Sequence, residues 1–524
     1  MSNDLTPTEA PHSPRPRKSS PRQSEKTSRV DEISGTIGSN NQGAIIGKNI
    51  FQNIIIIGKV KIPVLPILVL IGLVIAAAVF FGLRLLGPDH MTGSFNLAVA
   101  EFGQLDANGR VVSSPNGPLI SQRLYEGLKI ELDSLSPADR ANFQPQVWQD
   151  SLDITQKRVK IGIIPGDTPQ ARLAAACSLG QKINANVVIY GNLPADLSSG
   201  TFIPEFAVCD NVDLRVDADE IVGAHQLIQG IPVQLLSQLG RPGTDLAVNI
   251  KINSWSGTVS LFSIGIMYDL QGRSDLALGV FQQAREQLKS GAGSAGEVLW
   301  FFIGREELTL ASPTAARDGV DHLANAQAAF EEALKINPSY ARAHIGLGGV
   351  FFSRAQLLQP VDRLKSADLA GAFQEYQSAL NSAPDSAGAL IDTKAHLGLA
   401  ATWILEGAAQ QESNQPAKAS DSYDRAIQSA SAAVQPLTEA KQYRALALVY
   451  LTLGEAYQEQ GNLKLQQVDK DASRTFLKKA SDSYNLCIQQ KDAAFTDQTL
   501  ADNIVVPLCI PYKKDTDASL AALN

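Results

Sequence analysis

The stretch GIMYDLQGRSDLALGVFQQA, residues 265–284, decides how the C-terminal half of this 524-residue chain folds. Gly265 and Tyr268 stand three residues apart, and Ala277, Phe281 and Ala284 follow at steps of four and three. Each set falls on one face of a helix. The second-helix pattern returns as Ala326, Phe330 and Ala333 ahead of Pro338, and as Ala372, Tyr376 and Ala379 ahead of Pro384. It returns again as Ala419, Tyr423 and Ala426, then as Ala480, Tyr484 and Cys487, with Cys where Ala is usual. Matching first helices are marked by Gly304, Gly348, Gly398 and Gly454, the last in YLTLGEAYQEQGN with Tyr457. The small residues let paired helices approach, and the aromatics fill the space between neighbouring repeats.

This spacing resembles the tetratricopeptide repeat. The resemblance implies an all-α solenoid of about five repeats over residues 255–490, binding protein partners along a groove. It brings no cofactor and no metal. One departure is length. The first-helix Gly precedes the second-helix Ala by twelve residues in the first copy (265 to 277), but by 22, 24, 21 and 26 in the others. Each later copy therefore carries an insertion between its helices, as a loop or as helix extension. Such repeats touch only their neighbours, so the solenoid is expected to fold without the rest of the chain.

Residues 63–83, PVLPILVLIGLVIAAAVFFGL, contain no charged side chain and no Asn, Gln or His. As a helix they measure roughly 32 Å at about 1.5 Å per residue, enough for a hydrocarbon core of about 30 Å. A transmembrane helix is expected over residues 62–86. Lys48, Lys59 and Lys61 precede it and only Arg84 follows closely. The positive-inside rule then predicts a single-pass cell-membrane protein, N-terminus cytoplasmic and C-terminal domains outside. Residues 1–32, rich in Ser, Pro, Thr and Arg, are expected to be a disordered basic tail. Residues 33–61 form a Gly/Asn/Ile-rich juxtamembrane segment. Its window IFQNIIII (50–57) has the composition of a steric-zipper strand. It resembles stretches of bacterial signalling and conflict proteins, which implies self-association; a strand against the membrane is the alternative. GAIIGKN (43–49) lacks the spacing and the Ser or Thr of a phosphate loop.

Residues 94–240 read as a small α/β domain. Strands are expected at 94–102, 159–165 and 187–193, with an edge strand at 202–208 carrying Pro204. Helices are expected near 119–135 and from Pro169 to Asn184, the second capped by Thr168. The segments NLAVAEF (96–102) and ANVVIYGNL (185–193) resemble the N-terminal domain of TolB and the CsgG-like secretion lipoproteins, small α/β domains of the bacterial envelope. Cys177 with Cys209, and Cys487 with Cys509, are local pairs compatible with two disulfides or with four buried small side chains. Residues 491–524 are read as a C-terminal tail.

A net charge of −8 argues against nucleic acid as a partner. The six histidines, at 12, 90, 225, 322, 344 and 396, form no metal-binding pair. Ser294 in GAGSAG and the acidic run DADE (217–220) have no catalytic companions. The expected fold class is α plus α/β: a disordered tail, one transmembrane helix, a small α/β domain and a tetratricopeptide solenoid. The expected role is that of a membrane-anchored, non-enzymatic scaffold or receptor. The alternative is a signalling protein whose outer part senses a ligand while residues 33–60 self-assemble in the cytoplasm.

Overall fold

The computed structural model describes residues 54–57, 60–63, 90–149, 159–196, 201–209, 221–227, 231–232, 246–291, 296–311, 321–382, 389–493 and 500–523. The chain divides into two units, Met1–Val79 and Phe80–Asn524. In the first, β1 (Ile54–Ile57) pairs antiparallel with β2 (Val60–Pro63), Ile54 opposite Pro63 and Ile57 opposite Val60. β-Branched Ile and Val favour this extended backbone.

The membrane expectation is corrected. Ile62 and Pro63, placed at the start of a spanning helix, belong instead to β2. Residues 64–86, like the tail at 1–32 and residues 33–53, lie outside the described residues. Among the described residues no helix is long and apolar enough to cross a membrane. This overturns both the fold class with a transmembrane helix and the single-pass cell-membrane placement. The longest helix among the described residues, α4 (Leu246–Leu270), shows why length does not suffice. It carries Asn249, Lys251, Asn253, Ser254, Ser256, Ser260, Ser263 and Asp269 among its apolar residues. From Trp255 onward those apolar residues are packed in a protein core.

The second unit begins with a mixed sheet. Its strands are β3 (Asn96–Val99), β4 (Gly103–Leu105), β5 (Val111–Val112), β6 (Gln146–Gln149), β7 (Val187–Leu193), β8 (Thr201–Val208), β9 (Gly223–Gln226) and β10 (Ile231–Pro232). The order is β10-β8-β7-β3-β6, with β9 also on β8 and the β4–β5 hairpin on the end of β7. β3 runs parallel to β6 and β7, whereas β8 is antiparallel to its neighbours. Alternation sorts the side chains. Leu97, Val99, Val187, Ile189, Phe202 and Phe206 face α1 (Gly117–Ser134) and α4. Ala98, Ala100, Val188, Tyr190 and Ala207 face α3 (Pro169–Ile183) on the other side. A short helix, α2 (Pro137–Phe143), precedes β6.

Thr168 caps α3 by accepting the Ala171 N–H at 3.1 Å, and Asn184 closes it at φ 58. Two strand expectations change. Residues 159–165 supply only a bridge between Ile163 and Glu101, because Gly162, at φ 67, breaks the extended run. The partner of β3 is QVWQ at 146–149 instead. β8 is not an edge strand. It is paired on both sides, and Pro204 sits where β9, opposite Glu205–Val208, gives way to β10, opposite Thr201 and Phe202. No ladder N–H is needed on that side.

Five antiparallel helix pairs follow. They are α4 with α5 (Ser274–Gly291), α6 (Glu297–Leu310) with α7 (His322–Ile336), and α8 (Ala341–Leu357) with α10 (Ala367–Asn381). A short helix, α9 (Pro360–Arg363), bridges the third pair. The fourth is α11 (Ala389–Glu412) with α12 (Pro416–Ala432), linked by α13 (Val434–Glu439) to α14 (Tyr443–Gln466) with α15 (Lys470–Ala493). Residues read as a tail form a π-helical turn (Ala501–Cys509) and α16 (Ile510–Ala522), which cover the last pair.

The sheet and the first pair share one core. Phe202 meets Trp255 at 6.1 Å between ring centroids, and Phe206 meets Phe262 at 5.4 Å. Ser256 donates to the Arg123 carbonyl at 3.2 Å, and Tyr268 to Asp139 at 3.2 Å. Further along, Arg342 of α8 is fully buried; it donates to the Val222 carbonyl at 2.7 Å and lies 2.7 Å from Nδ1 of His225. The solenoid therefore leans on the sheet and does not stand apart from it.

Candidate functional site: a groove on the first helices

Each second-helix aromatic is clasped by glycine. A side chain on Gly265 would collide with Phe281, one on Gly304 or Gly346 with Phe330, and one on Gly348 or Gly398 with Tyr376. Gly454 holds Tyr484 in the same way. Phe330 and Tyr376 thus each fill a gap between their own first helix and the next. Ala277, Ala284, Ala326, Ala333, Ala372, Ala379, Ala419, Ala426 and Ala480 are buried in the seams. Tyr268 is also buried, but its hydroxyl reaches α2; Tyr457 is half-buried beneath Lys479, 5.4 Å from the ring.

The structure reassigns the fourth repeat. Tyr423 rests on Gly407, while Gly398 serves Tyr376 of the preceding pair. From Gly407 to Ala419 is twelve residues, the same interval as in the first copy. Trp403 stands four residues before Gly407, as Trp300 stands before Gly304, a signal present in the sequence and missed. The extra length takes two forms. In repeats two and three it lies between the helices, whereas in the fifth both helices are longer, so that Gly461 also meets Leu477.

The first helices of repeats two to five line a groove of about 650 Å³. Its apolar lining includes Leu308, Ile345, Phe352, Leu397 and Leu448, all only partly buried, and Leu357 at its margin is 71% exposed. Thr309, Ser353 and Thr452 add hydroxyls. Arg305, also on the lining, is held from behind by Asp269 and by Glu306 at 3.0 Å. Burial, then the charge of Asp269, holds the Glu306 carboxyl well above the usual carboxylate range.

The histidines on these helices are packing groups. His322 lies 2.6 Å from Glu307, and His344 contacts Glu375 at 2.6 Å and the Pro338 carbonyl at 3.1 Å. Burial pushes His396 down. Ser294 and DADE lie outside the described residues. Among the described residues no group of His, Cys, Asp and Glu is arranged to hold a metal ion. Cys177 and Cys209 form a disulfide tying α3 to the end of β8, with Cα atoms 5.3 Å apart. Cys487 and Cys509 form another, Cα atoms 6.2 Å apart, fastening the end of the π-helical turn to α15.

Burial, then the charge of Glu459, pushes the Glu455 carboxyl of α14 up to about 7. Its folded value lies above its unfolded one, so the fold holds this proton more tightly than the unfolded chain does. The stabilisation is full below about pH 4 and is lost as pH rises to about 7. Urea titrations between about pH 4 and pH 8 should show Glu455→Gln as stable as the parent at the acid end. At the alkaline end it should be more stable, by up to about 3 kcal/mol. Parallel pH profiles would contradict this.

Two solved structures are similar to part of the chain. One is the crystal structure of TTC0263, a thermophilic TPR protein in Thermus thermophilus, at 15% identity and TM-score 0.25, covering 45% of this chain and 99% of that one. The other is the crystal structure of MamA protein, at 15% identity and TM-score 0.26, covering 46% and 95%. No family model and no curated protein matches the chain.

Proposed function

We propose that this chain is a protein-interaction scaffold whose groove holds a segment of a partner protein. One observation carries the reading. A stripe of aliphatic and aromatic side chains runs across four successive first helices without being covered by the chain's own described residues. Stacked repeats create extended grooves of this kind, and an uncovered apolar groove with a few hydroxyls suits a peptide's side chains and its backbone.

Panning a phage-displayed random dodecapeptide library against the chain tests this, with Phe352→Glu/Leu397→Glu as the counter-selection. Enriched peptides that share a pattern of apolar residues and lose binding to the double variant are expected. Peptides that bind both proteins equally, or the absence of any enriched pattern, would overturn the reading.

A further inference from the structure

We propose that the groove ends in a subsite for a basic side chain, so that the bound segment carries a lysine or arginine beside its apolar residues. This rests on the groove reading above. Leu448 and Thr452 line the groove from α14, and Glu455 and Glu459 follow at steps of three and four. All four share one face of the helix. Counted from the glycines that clasp the aromatics, Gly348 and Gly454, the corresponding residues of α8 are Arg342, Gly346, Gly349 and Ser353. A face without a carboxylate in the third repeat thus carries two in the fifth.

Among the described residues, no lysine, arginine or histidine forms an ion pair with Glu455 or Glu459. The groups facing the pair are tyrosines and a further carboxylate: Tyr484 and Tyr512 beside Glu455, Tyr423 beside Glu459 and Glu412. Two partly buried carboxylates one turn apart repel each other, and burial denies them the water that would screen the repulsion. A cation between them relieves both, and phenol rings are favourable neighbours for a cation. An anionic or purely apolar segment end would leave the two carboxylates as they are.

Peptides enriched on the chain are expected to carry Lys or Arg at a constant distance from their apolar anchors. One such peptide and its Lys→Gln (or Arg→Gln) analogue are then titrated by fluorescence anisotropy against the parent and Glu455→Gln/Glu459→Gln. The parent should lose about tenfold or more in affinity for the analogue. The double variant, whose circular dichroism should match the parent's, should bind both peptides alike, as a double-mutant cycle requires. An equal loss with both proteins, or enriched peptides without a basic residue, would overturn the subsite and leave the groove standing. Failure of the library to yield any groove-dependent peptide would overturn both.

Discussion

Phe330→Ala is expected to lower the free energy of unfolding by about 3–5 kcal/mol, the range for a buried aromatic truncated in a core that cannot collapse around it. Collapse is blocked on two sides. The ring is fully buried and wedged against Gly304 of its own repeat and Gly346 of the next. Removing it opens the seam between repeats two and three, and both glycines lack the atoms to close it. The ring also stands in the groove lining with Tyr376, so the variant should weaken peptide binding as well. Urea denaturation of parent and variant measures the first effect. A loss under about 1 kcal/mol would mean that the seam is not packed as described.

The second large effect concerns where the chain can be cut. A fragment of residues 255–524 is expected to lack a cooperative thermal transition, whereas residues 90–524 should unfold in one. The cut at 255 falls inside α4 and strips the sheet from Trp255, Val259 and Phe262, all now buried. Exposing three such side chains costs about 5–8 kcal/mol, comparable to the whole stability of many domains. Loss of the sheet also leaves Arg342 buried without the Val222 carbonyl and His225. A sharp transition in the short fragment, near that of the long one, would contradict the shared core.

That cut marks the limit of what the sequence disclosed. Repeat seams were legible because Gly, Ala and an aromatic at steps of three and four leave a pattern in the chain itself. The dependence of the first repeat on the sheet was not legible, since Trp255 and Phe262 look the same whether a repeat or a sheet covers them. Gly398 misled for a related reason. It does clasp an aromatic, but one belonging to the preceding pair, and the pointers to Gly407 were Trp403 and the twelve-residue interval to Ala419. The groove was legible as an implication of the repeat, not as particular residues. Leu308, Phe352 and Leu397 share a surface only once successive first helices are laid side by side. The strand at 146–149 escaped because QVWQ is short and half-buried, while VKIGIIP advertised a strand that Gly162 interrupts.

Hydrogen–deuterium exchange of the chain, with and without a groove-selected peptide, tests the central claim most directly. Binding is expected to slow exchange in 297–310, 341–357, 389–412 and 443–466, the first helices that line the groove, and to leave α5, α12 and the sheet unchanged. Protection confined to the second helices or to the sheet, with those first helices unaffected, would contradict it.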